Sequence, residues 1–239
     1  MTMLKAQGIR KSLNGRQILE STDITLRPGR ITVMLGPNGA GKSTMLKCLS
    51  FVDPPDAGSI TIDGVRTEFP ARGSWSRPWP RVTAVFQGLH LWPHLTVEQN
   101  ILLPQRARQI VERCPAALEA AVHQFGLEEL LNRFPSQLSG GQRLLVALCR
   151  AVILQPEYLL LDEPTASLDI QSIHRLTEYL RALAISGMAV FVVTHMLGFA
   201  SKVADEILFL DAGRVIERGS VDLLAHPSNP SLQTFVSLY

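Results

Sequence analysis

The sequence is poor in several features that would each indicate a specific class of protein. Its 23 lysines and arginines nearly balance its 21 aspartates and glutamates, and the formal net charge is only +2. So small a surplus argues against a protein whose main role is to hold nucleic acid. Three widely spaced cysteines, Cys48, Cys114 and Cys149, form no CxxC pair. This pattern indicates reduced thiols in a cytoplasmic compartment and disfavours a zinc site.

Long apolar segments are scarce as well. The N-terminus lacks the apolar stretch of a signal peptide. One segment, 182–201, carries no formal charge, at a length close to the roughly 20 residues of a membrane-spanning helix. It contains Ser186-Gly187 and then the β-rich run 188–194. We therefore predict the end of a helix, a turn and a buried strand here, and not a membrane span.

The composition is that of a folded globular protein. The chain has 239 residues, of which 46% are hydrophobic and 18% are charged. This length suits one large α/β domain or two small ones, and it is ample for a buried core. Disorder is excluded as the main state.

Four short apolar runs each end at a glycine loop or a polar residue. The runs and the residues that follow them are 31–35 before Gly36, 81–86 before Gln87, 158–161 before Asp162 and 190–193 before Thr194. Such runs are typical of strands buried on both faces of a parallel sheet. Open α/β sheets bind ligands at the carboxyl edge of their strands. The four ends are therefore expected to meet at one site.

The remaining segments differ in their patterns. The first 30 residues predict short strands with a turn at Asn14-Gly15. Residues 66–81 are irregular and rich in Pro, Arg and Trp, which predicts a surface loop to which we assign no function. From Thr96 to Val152 the apolar spacing is helical. A helical block is thus expected between two groups of strands.

The segment after the first apolar run fits the phosphate-loop pattern GxxxxGK[ST]. Glycines let backbone N–H groups turn towards phosphate oxygens, and the following helix adds the positive end of its dipole. Lys42 is predicted to reach the β- and γ-phosphates, and the Ser43 hydroxyl to ligate Mg²⁺. A chance glycine turn before a lysine would not explain the strand before it and the helix after it. The predicted nucleotide-binding residues are Gly36, Pro37, Asn38, Gly39, Ala40, Gly41, Lys42, Ser43 and Thr44.

A phosphate loop needs a carboxylate for Mg²⁺ and a group that orients the attacking water. Asp162 is the candidate metal ligand, directly or through water, and Glu163 the candidate that polarises the water. An Asp-Glu pair after a strand is often only a helix N-cap, and alone the two readings are equal. The phosphate loop favours the catalytic reading.

With Leu138-Ser-Gly-Gly-Gln142 added, the chain resembles the ATP-binding subunit of an ABC transporter over nearly its whole length. The matching motifs, in order, are Walker A at 36–44, the Q-loop at Gln87, the signature at 138–142, Walker B at 158–163, the D-loop at 166–169 and the switch histidine at His195. The resemblance implies ATP and Mg²⁺ as cofactors. It implies γ-phosphate, water or Mg²⁺ contacts for Gln87 and His195, and catalytic roles for these two with Lys42 and Glu163.

The signature can be read in two ways from its residues alone. Ser139 precedes a predicted helix, so its hydroxyl and the free N–H groups of the first turn would form an anion site. An ordinary Ser N-cap explains the helix start equally well. In the family each nucleotide lies between the Walker A of one protomer and the signature of the other. By resemblance the ATP site therefore includes Ser139, Gly140, Gly141, Gln142 and Asp169 of a second copy in a homodimer.

Three positions depart from the family pattern. The family usually stacks an aromatic residue on adenine, and here the matching position is Leu13. Leucine covers a purine face but loses an aromatic contribution of about 1 kcal/mol. Leu145 stands where an arginine is common, and Met196 where a glutamate is common after the histidine. None of the three touches the phosphate chemistry.

The resemblance also implies a fold and subdomains. The fold class is α/β, a P-loop NTPase (RecA-like) core with a mainly parallel sheet, an N-terminal antiparallel β subdomain and an inserted helical subdomain. The expected ranges are 1–30 for part of the β subdomain, 31–88 and 153–220 for the core, 89–152 for the helical subdomain and 221–239 for a C-terminal helical tail.

Two segments resemble the polar amino acid importers, namely 85–100 around the Q-loop and 194–205, with the tail from Gly213 to Phe235. This likeness implies a peripheral subunit on the cytoplasmic side of the membrane. Its partners would be integral permease subunits and, indirectly, a periplasmic or surface solute-binding protein, with no nucleic acid. The solute is set by proteins other than this chain.

Two other functions would use the same motifs. A cytosolic ABC ATPase of DNA repair or translation would have the same site, but usually carries two cassettes, a coiled coil or a basic face. A docking module that binds ATP without hydrolysis would be expected to lack Glu163 or His195, and both are present.

Overall fold

The computed structural model describes residues 3–71, 77–107, 115–166 and 168–238. Cys114, Ser167 and residues 72–76 of the expected surface loop lie outside the described residues. The strands are β1 (Leu4–Leu13), β2 (Arg16–Leu26), β3 (Ile31–Leu35), β4 (Ala57–Ile62), β5 (Val65–Phe69), β6 (Val82–Val85), β7 (Tyr158–Asp162), β8 (Ala189–Val193), β9 (Glu206–Asp211) and β10 (Arg214–Gly219). The helices are α1 (Lys42–Leu49), α2 (Val97–Ala107), α3 (Pro115–Phe125), α4 (Gly140–Val152), α5 (Ile170–Ile185), α6 (Leu197–Val203) and α7 (Pro230–Ser237).

Six strands form the larger sheet, in the order β10-β9-β3-β8-β7-β6. All neighbouring pairs are parallel except β9 and β10, which pair antiparallel. The four apolar runs of the sequence supply β3, β6, β7 and β8, and the predicted α/β class with a mainly parallel sheet is confirmed. Because these strands are parallel, the residues that follow them all lie at the same edge of the sheet.

Both faces of this sheet are buried, and successive residues of a strand contribute to opposite sides of it. In β3, Ile31, Val33 and Leu35 belong to one core cluster, which includes side chains from α4, α5 and α6. Met34 belongs to the second cluster, between the sheet, α1 and the antiparallel sheet. A strand that is covered on both sides needs mainly apolar residues, which explains the nearly continuous apolar runs.

The smaller sheet is antiparallel, in the order β2-β1-β4-β5. Its β1–β2 hairpin turns at Asn14-Gly15, where both residues have a positive φ of 50° and 78°, as a two-residue hairpin turn requires. Strands β4 and β5 come from within 31–88, the range that the sequence assigns to the core. That range therefore contributes to both sheets.

The uncharged segment 182–201 has the predicted arrangement. Helix α5 ends at Ile185, a turn follows at Ser186-Gly187, and β8 is fully buried in the sheet. Within the described ranges, no helix combines the length and the apolar character that are needed to cross a membrane.

Glu217 of β10 attaches the segment before α7 to the larger sheet. Its carboxylate accepts hydrogen bonds from the Ser228 hydroxyl, the Ser228 N–H at 3.0 Å and the Asn229 N–H at 3.1 Å. Asn229 in turn caps α7 by accepting from the Ser231 N–H. The Ser228 hydroxyl and then the backbone donors hold the pKa of Glu217 below its ordinary value of 4.5. Leu232 and Phe235 of α7 are buried in the core.

Replacing Glu217 by glutamine should lower the melting temperature at pH 7 by about 2 °C, because the charged acceptor of three donors is lost. The folded-state pKa is depressed, so the stabilisation is complete above about pH 4.5 and is lost as the pH falls further. The difference between variant and wild type should therefore shrink below pH 4.5 in thermal melts. Glu119→Gln, an exposed position on α3, is the control. A difference that stays constant down to pH 3 would contradict this role of the charge.

Candidate active site

The candidate site lies at the carboxyl edge of β3, β8 and β7, which are neighbours in the larger sheet. Val193, the last residue of β8, pairs with Met34 on one side and with Asp162 on the other. The segments after these three strands carry the glycine loop, Thr194-His195 and Glu163. Three of the four predicted strand ends therefore meet directly.

The glycine loop between β3 and α1 needs glycine at two of its positions. A Cβ on Gly36 would lie 2.1 Å from the Leu210 carbonyl oxygen of β9. Gly41 has a φ of 107°, and its Cβ would lie 2.9 Å from the Leu19 side chain and 3.0 Å from the Ile18 carbonyl oxygen. The loop is thus fixed between β9 and β2, while its tip at Asn38 and Gly39 is exposed.

Lys42 is the first residue of α1 and is buried, with 7% of its surface exposed. Its ammonium donates to the carbonyl oxygens of Gly36 at 2.8 Å and Pro37 at 3.0 Å, the first two residues of the loop. Burial lowers the pKa of Lys42, and the charges of Glu163 and Asp162 partly oppose this shift. The N–H groups of the first turn of α1 have no partner inside the helix. A cation and a set of backbone donors therefore face the concave side of the loop, which suits a polyphosphate.

Ser43 and Asp162 join the glycine loop to the end of β7. The Ser43 hydroxyl donates to Asp162 Oδ1 at 2.9 Å. Burial raises the pKa of Asp162, and the hydrogen bond from Ser43 opposes that rise. These two oxygens fit Mg²⁺, which is commonly held by one or two protein oxygens together with substrate phosphates. Across the described ranges, no group of three or more His, Cys, Asp or Glu could hold a metal ion alone.

Glu163 and His195 form a hydrogen-bonded pair across the ends of β7 and β8. His195 Nδ1 lies 3.0 Å from Glu163 Oε1, and because a carboxylate only accepts, the ring donates through Nδ1. Glu163 Oε2 is buried and has no hydrogen-bond partner among the described residues. The Glu163 backbone has a φ of 47° and its N–H donates to the Val193 carbonyl. Such strained backbone at a half-buried carboxylate is typical of active sites.

Gln87 lies at the same edge but is more distant. It follows β6, the outer strand, which is three strand spacings or about 14 Å from β3. Its side chain is exposed, and within the described ranges no hydrogen bond connects it to the glycine loop, Asp162 or Glu163. The structure therefore places Gln87 at the rim of the site.

The signature segment starts α4. The Ser139 hydroxyl accepts from the Gln142 N–H at 3.2 Å, and the Gln142 side chain accepts from the Ser139 N–H at 2.9 Å. This reciprocal pair is a capping box, so the N-cap role of Ser139 is present. A Cβ on Gly141 would lie 2.9 Å from the Ser172 hydroxyl of α5, which shows how closely the two helix starts approach each other.

Asp169 caps the neighbouring helix. Its carboxylate accepts from the Ser172 N–H at 2.7 Å, and that bond lowers the pKa of Asp169. The starts of α4 and α5 line a cavity of about 210 Å³, shared by Ser139, Gly141 and Asp169. Among the described residues, those that line this cavity include none from the glycine loop at 36–44. The two predicted anion sites are thus separate within one chain.

Leu13 ends β1 and is 40% exposed, so an apolar surface is present where the sequence predicts adenine contact. The sequence did not indicate two features beside the site, a backbone support of the loop and a buried hydroxyl. Gly213, in the β9–β10 turn, donates its N–H to the Ala40 carbonyl of the glycine loop at 3.1 Å, and its own carbonyl accepts from the Thr22 hydroxyl. Thr165 is buried and its hydroxyl has no partner among the described residues. The Ala212-Gly213 turn was a detectable signal for the first, whereas no sequence pattern marks the second.

Comparisons with known proteins agree with this geometry. The model of the ABC transporter family matches residues 19–166. The arginine transport ATP-binding protein ArtM of Bacillus subtilis (strain 168) is 35% identical, over 98% of each chain. The glutamine transport ATP-binding protein GlnQ of Escherichia coli (strain K12) is also 35% identical, over 98% of each chain.

Solved structures extend the likeness to the fold. A dimeric bacterial ABC transporter cassette superposes with a TM-score of 0.80 at 28% identity, covering 91% of this chain and 98% of that one. A dimeric post-hydrolysis state of a cassette bound to ADP and Pi has a TM-score of 0.78 at 27% identity, with the same coverage.

Replacing Lys42 by alanine should nearly abolish ATP binding, because the phosphates would lose the buried cation of the loop. Titration with a fluorescent ATP analogue measures the affinity. Lys47→Ala, on the exposed side of the same helix, is the matched control and should bind normally. Near-normal affinity of the Lys42 variant would contradict the assignment of the glycine loop as the phosphate site.

Proposed function

The chain belongs to the ABC transporter family of ATP-binding proteins, and we propose that it hydrolyses ATP to power a membrane importer of polar amino acids. The observation that carries the hydrolytic part is the half-buried Glu163. One of its oxygens accepts from His195, and the other is buried without a partner among the described residues. A carboxylate fixed in this way can accept a proton from a water molecule placed next to it.

The proposed reaction is an attack of water on the γ-phosphorus of ATP, which breaks the bond from this phosphorus to the β–γ bridging oxygen and releases ADP and inorganic phosphate. Lys42 and the N–H groups of the first turn of α1 bind the phosphates, and Glu163 accepts the proton of the attacking water. Ser43 and Asp162 would hold Mg²⁺, which neutralises phosphate charge when bound. His195 orients Glu163 through Nδ1, so a contact of this ring with phosphate would use Nε2. Gln87 would complete the site from its rim.

We further propose that the working unit is a head-to-tail homodimer. The signature cavity at Ser139, Gly141 and Asp169 is separate from the glycine loop of the same chain, so each needs a complementary surface. The dimeric cassettes with this fold support this arrangement. ATP would lie between the glycine loop of one copy and the signature of the second, with Leu13 against the adenine.

Amino acids are the proposed cargo because relatives at 35% identity are named for arginine and glutamine transport. The proposal includes permease subunits as direct partners, a solute-binding protein as an indirect one, and a peripheral position on the cytoplasmic side of the membrane. The subdomain ranges 1–30, 31–88 with 153–220, 89–152 and 221–239 remain part of this proposal, with β4 and β5 joined to the β subdomain.

The surface beside Gln87 is the proposed contact with the permease. Trp92 is 50% exposed, and its ring meets His94 edge to face. From the sequence, docking to a permease and packing between subdomains are equal alternatives for each apolar residue of 86–100. Leu89 and Leu91 are half-buried against the core, which favours packing for these two. Trp92, with the half-buried Leu95 beside it, forms the remaining candidate surface.

Replacing Glu163 by glutamine should reduce ATP hydrolysis by about 10²- to 10⁴-fold, the usual contribution of a general base. ATP binding should survive, because Lys42, Ser43 and Asp162 are unchanged. Bound ATP that is not hydrolysed should hold two copies together, so the variant should elute as a dimer with Mg-ATP and as a monomer without nucleotide.

Glu129→Gln, an exposed position, is the control and should hydrolyse ATP normally. Hydrolysis at the wild-type rate by the Glu163 variant would exclude its role as the base. An inactive variant that stays monomeric at every protein concentration would contradict the dimer but not the catalytic role.

Replacing Trp92 and Leu95 together by serine should reduce the fraction of protein that sediments with membranes containing the permease subunits, and leave basal hydrolysis within about twofold of wild type. The reason is that an exposed apolar anchor is removed while the catalytic strand ends are unchanged. Val65→Ser, at a 70% exposed position in β5, is the matched control. Aggregation or lost ATP binding would show that these side chains belong to the core and do not form a docking surface.

A further inference from the structure

Gln87 is held in a tight turn directly after β6. The Leu89 N–H donates to the Phe86 carbonyl at 2.8 Å, which places Gln87 and Gly88 at the two central positions of a four-residue turn. The His90 N–H donates to the Gly88 carbonyl at 2.6 Å. Leu89 and His90 both have a positive φ, of 54° and 46°. Two consecutive left-handed residues without a glycine cost about 1 kcal/mol or more each, so other contacts must stabilise this conformation.

Arg150 of α4 supplies those contacts. Its guanidinium donates to the Leu89 carbonyl at 2.6 Å and to the His90 carbonyl at 2.8 Å. The two nitrogens of one rigid planar group thus bind the carbonyls of the two strained residues. In the described part of the chain, Arg150 forms no salt bridge with a carboxylate. Burial also lowers its pKa, so this cation is desolvated to bind backbone carbonyls alone.

The helix that carries Arg150 also carries the signature. Ser139 caps the start of α4 and Arg150 lies eleven residues later, about 16 Å along the axis. Helix α4 packs against β6, the strand that leads into the Gln87 turn. A displacement of α4 would therefore move the guanidinium and, with it, the carbonyls of Leu89 and His90, which lie at the end of the turn and directly after it.

We propose that Arg150 is a positioning residue that fixes the turn of Gln87 and couples its place at the rim of the site to helix α4. This inference rests on the proposed ATPase function, in which Gln87 contacts γ-phosphate, water or Mg²⁺. Arg150 itself contacts no reacting group; it acts through Gln87. Its effect should fall on turnover and on the requirement for Mg²⁺, and not on the phosphate loop.

The kinetic test uses the full chain and the variants Arg150→Met, Arg150→Lys, Gln87→Ala and the double variant Gln87→Ala with Arg150→Met. Arg150→Met should lower kcat about 10- to 100-fold, the cost of misplacing a catalytic group by roughly 1 Å, and raise the Mg²⁺ concentration for half-maximal rate. The KM for ATP should change less than about threefold. Arg150→Lys, which keeps the charge but not the planar pair of donors, should recover part of the rate.

The double variant separates positioning from general stability. If Arg150 acts through Gln87, the double variant should have the same kcat as Gln87→Ala alone. Losses that multiply, or a fully active and folded Arg150→Met protein, would overturn the proposal. Arg106→Met, an exposed arginine in the last turn of α2, is the matched control and should keep the wild-type kcat and Mg²⁺ requirement.

The contact between Arg150 and the Leu89 and His90 carbonyls can also be tested without nucleotide, independently of hydrolysis. Hydrogen exchange of the Leu89 and His90 amides should accelerate at least about tenfold in Arg150→Met, with the α1 amides unchanged. Unchanged exchange at 89–90 would overturn the proposal. A wild-type chain whose Leu89 and His90 amides are protected from exchange but which has no ATPase activity would contradict the proposed function. The structural role of Arg150 in the turn would still stand. If Arg150→Met does not fold, Arg150→Lys replaces it in the comparison with Gln87→Ala and in the exchange measurement.

Discussion

The pairing of three parallel strands controls the whole site. Val193 at the end of β8 lies between Met34 of β3 and Asp162 of β7, and this register brings the segments after the three strands to one point. A slip of one residue in β7 would exchange its two faces, moving Leu159 and Leu161 out of the core cluster that they share with the helices. The hydrophobic packing of both faces therefore fixes the place of the catalytic carboxylates.

Buried charges of opposite sign stabilise one another at this point. Burial alone disfavours the charged form of Lys42 and of Asp162, and the pKa of each is shifted in that direction. Each opposes part of the other's shift, and Ser43 adds a hydrogen bond to Asp162. The sheet edge thus holds a cation and carboxylates close together, with one carboxylate oxygen of Glu163 lacking a partner among the described residues. Such an arrangement is suited to a polyanionic substrate that reacts with water.

Much of this fold could be predicted from local patterns. The runs at 31–35, 158–161 and 190–193 are almost entirely apolar because the strands are covered on both faces, and this pattern is readable without tertiary information. The glycine loop was readable from its local pattern GxxxxGK[ST], whereas the close contacts of Gly36 and Gly41 with β9 and β2 were not. The membership of β4 and β5 in the antiparallel sheet was not, because it depends on pairing with β1. The hydrogen bond between Glu163 and His195, 32 residues apart, likewise has no local signature.

Gly213 links the glycine loop to the timing of folding. Its N–H donates to the Ala40 carbonyl and its carbonyl accepts from the Thr22 hydroxyl, 191 residues earlier in the chain. A Cβ here would lie 2.3 Å from the Ile18 carbonyl oxygen, so the turn is enclosed between β2 and the loop. Contacts between residues so far apart in the chain form late. A growing polypeptide has the complete glycine-loop sequence at residue 44, but it gains the backbone support of that loop only after residue 213 has left the ribosome.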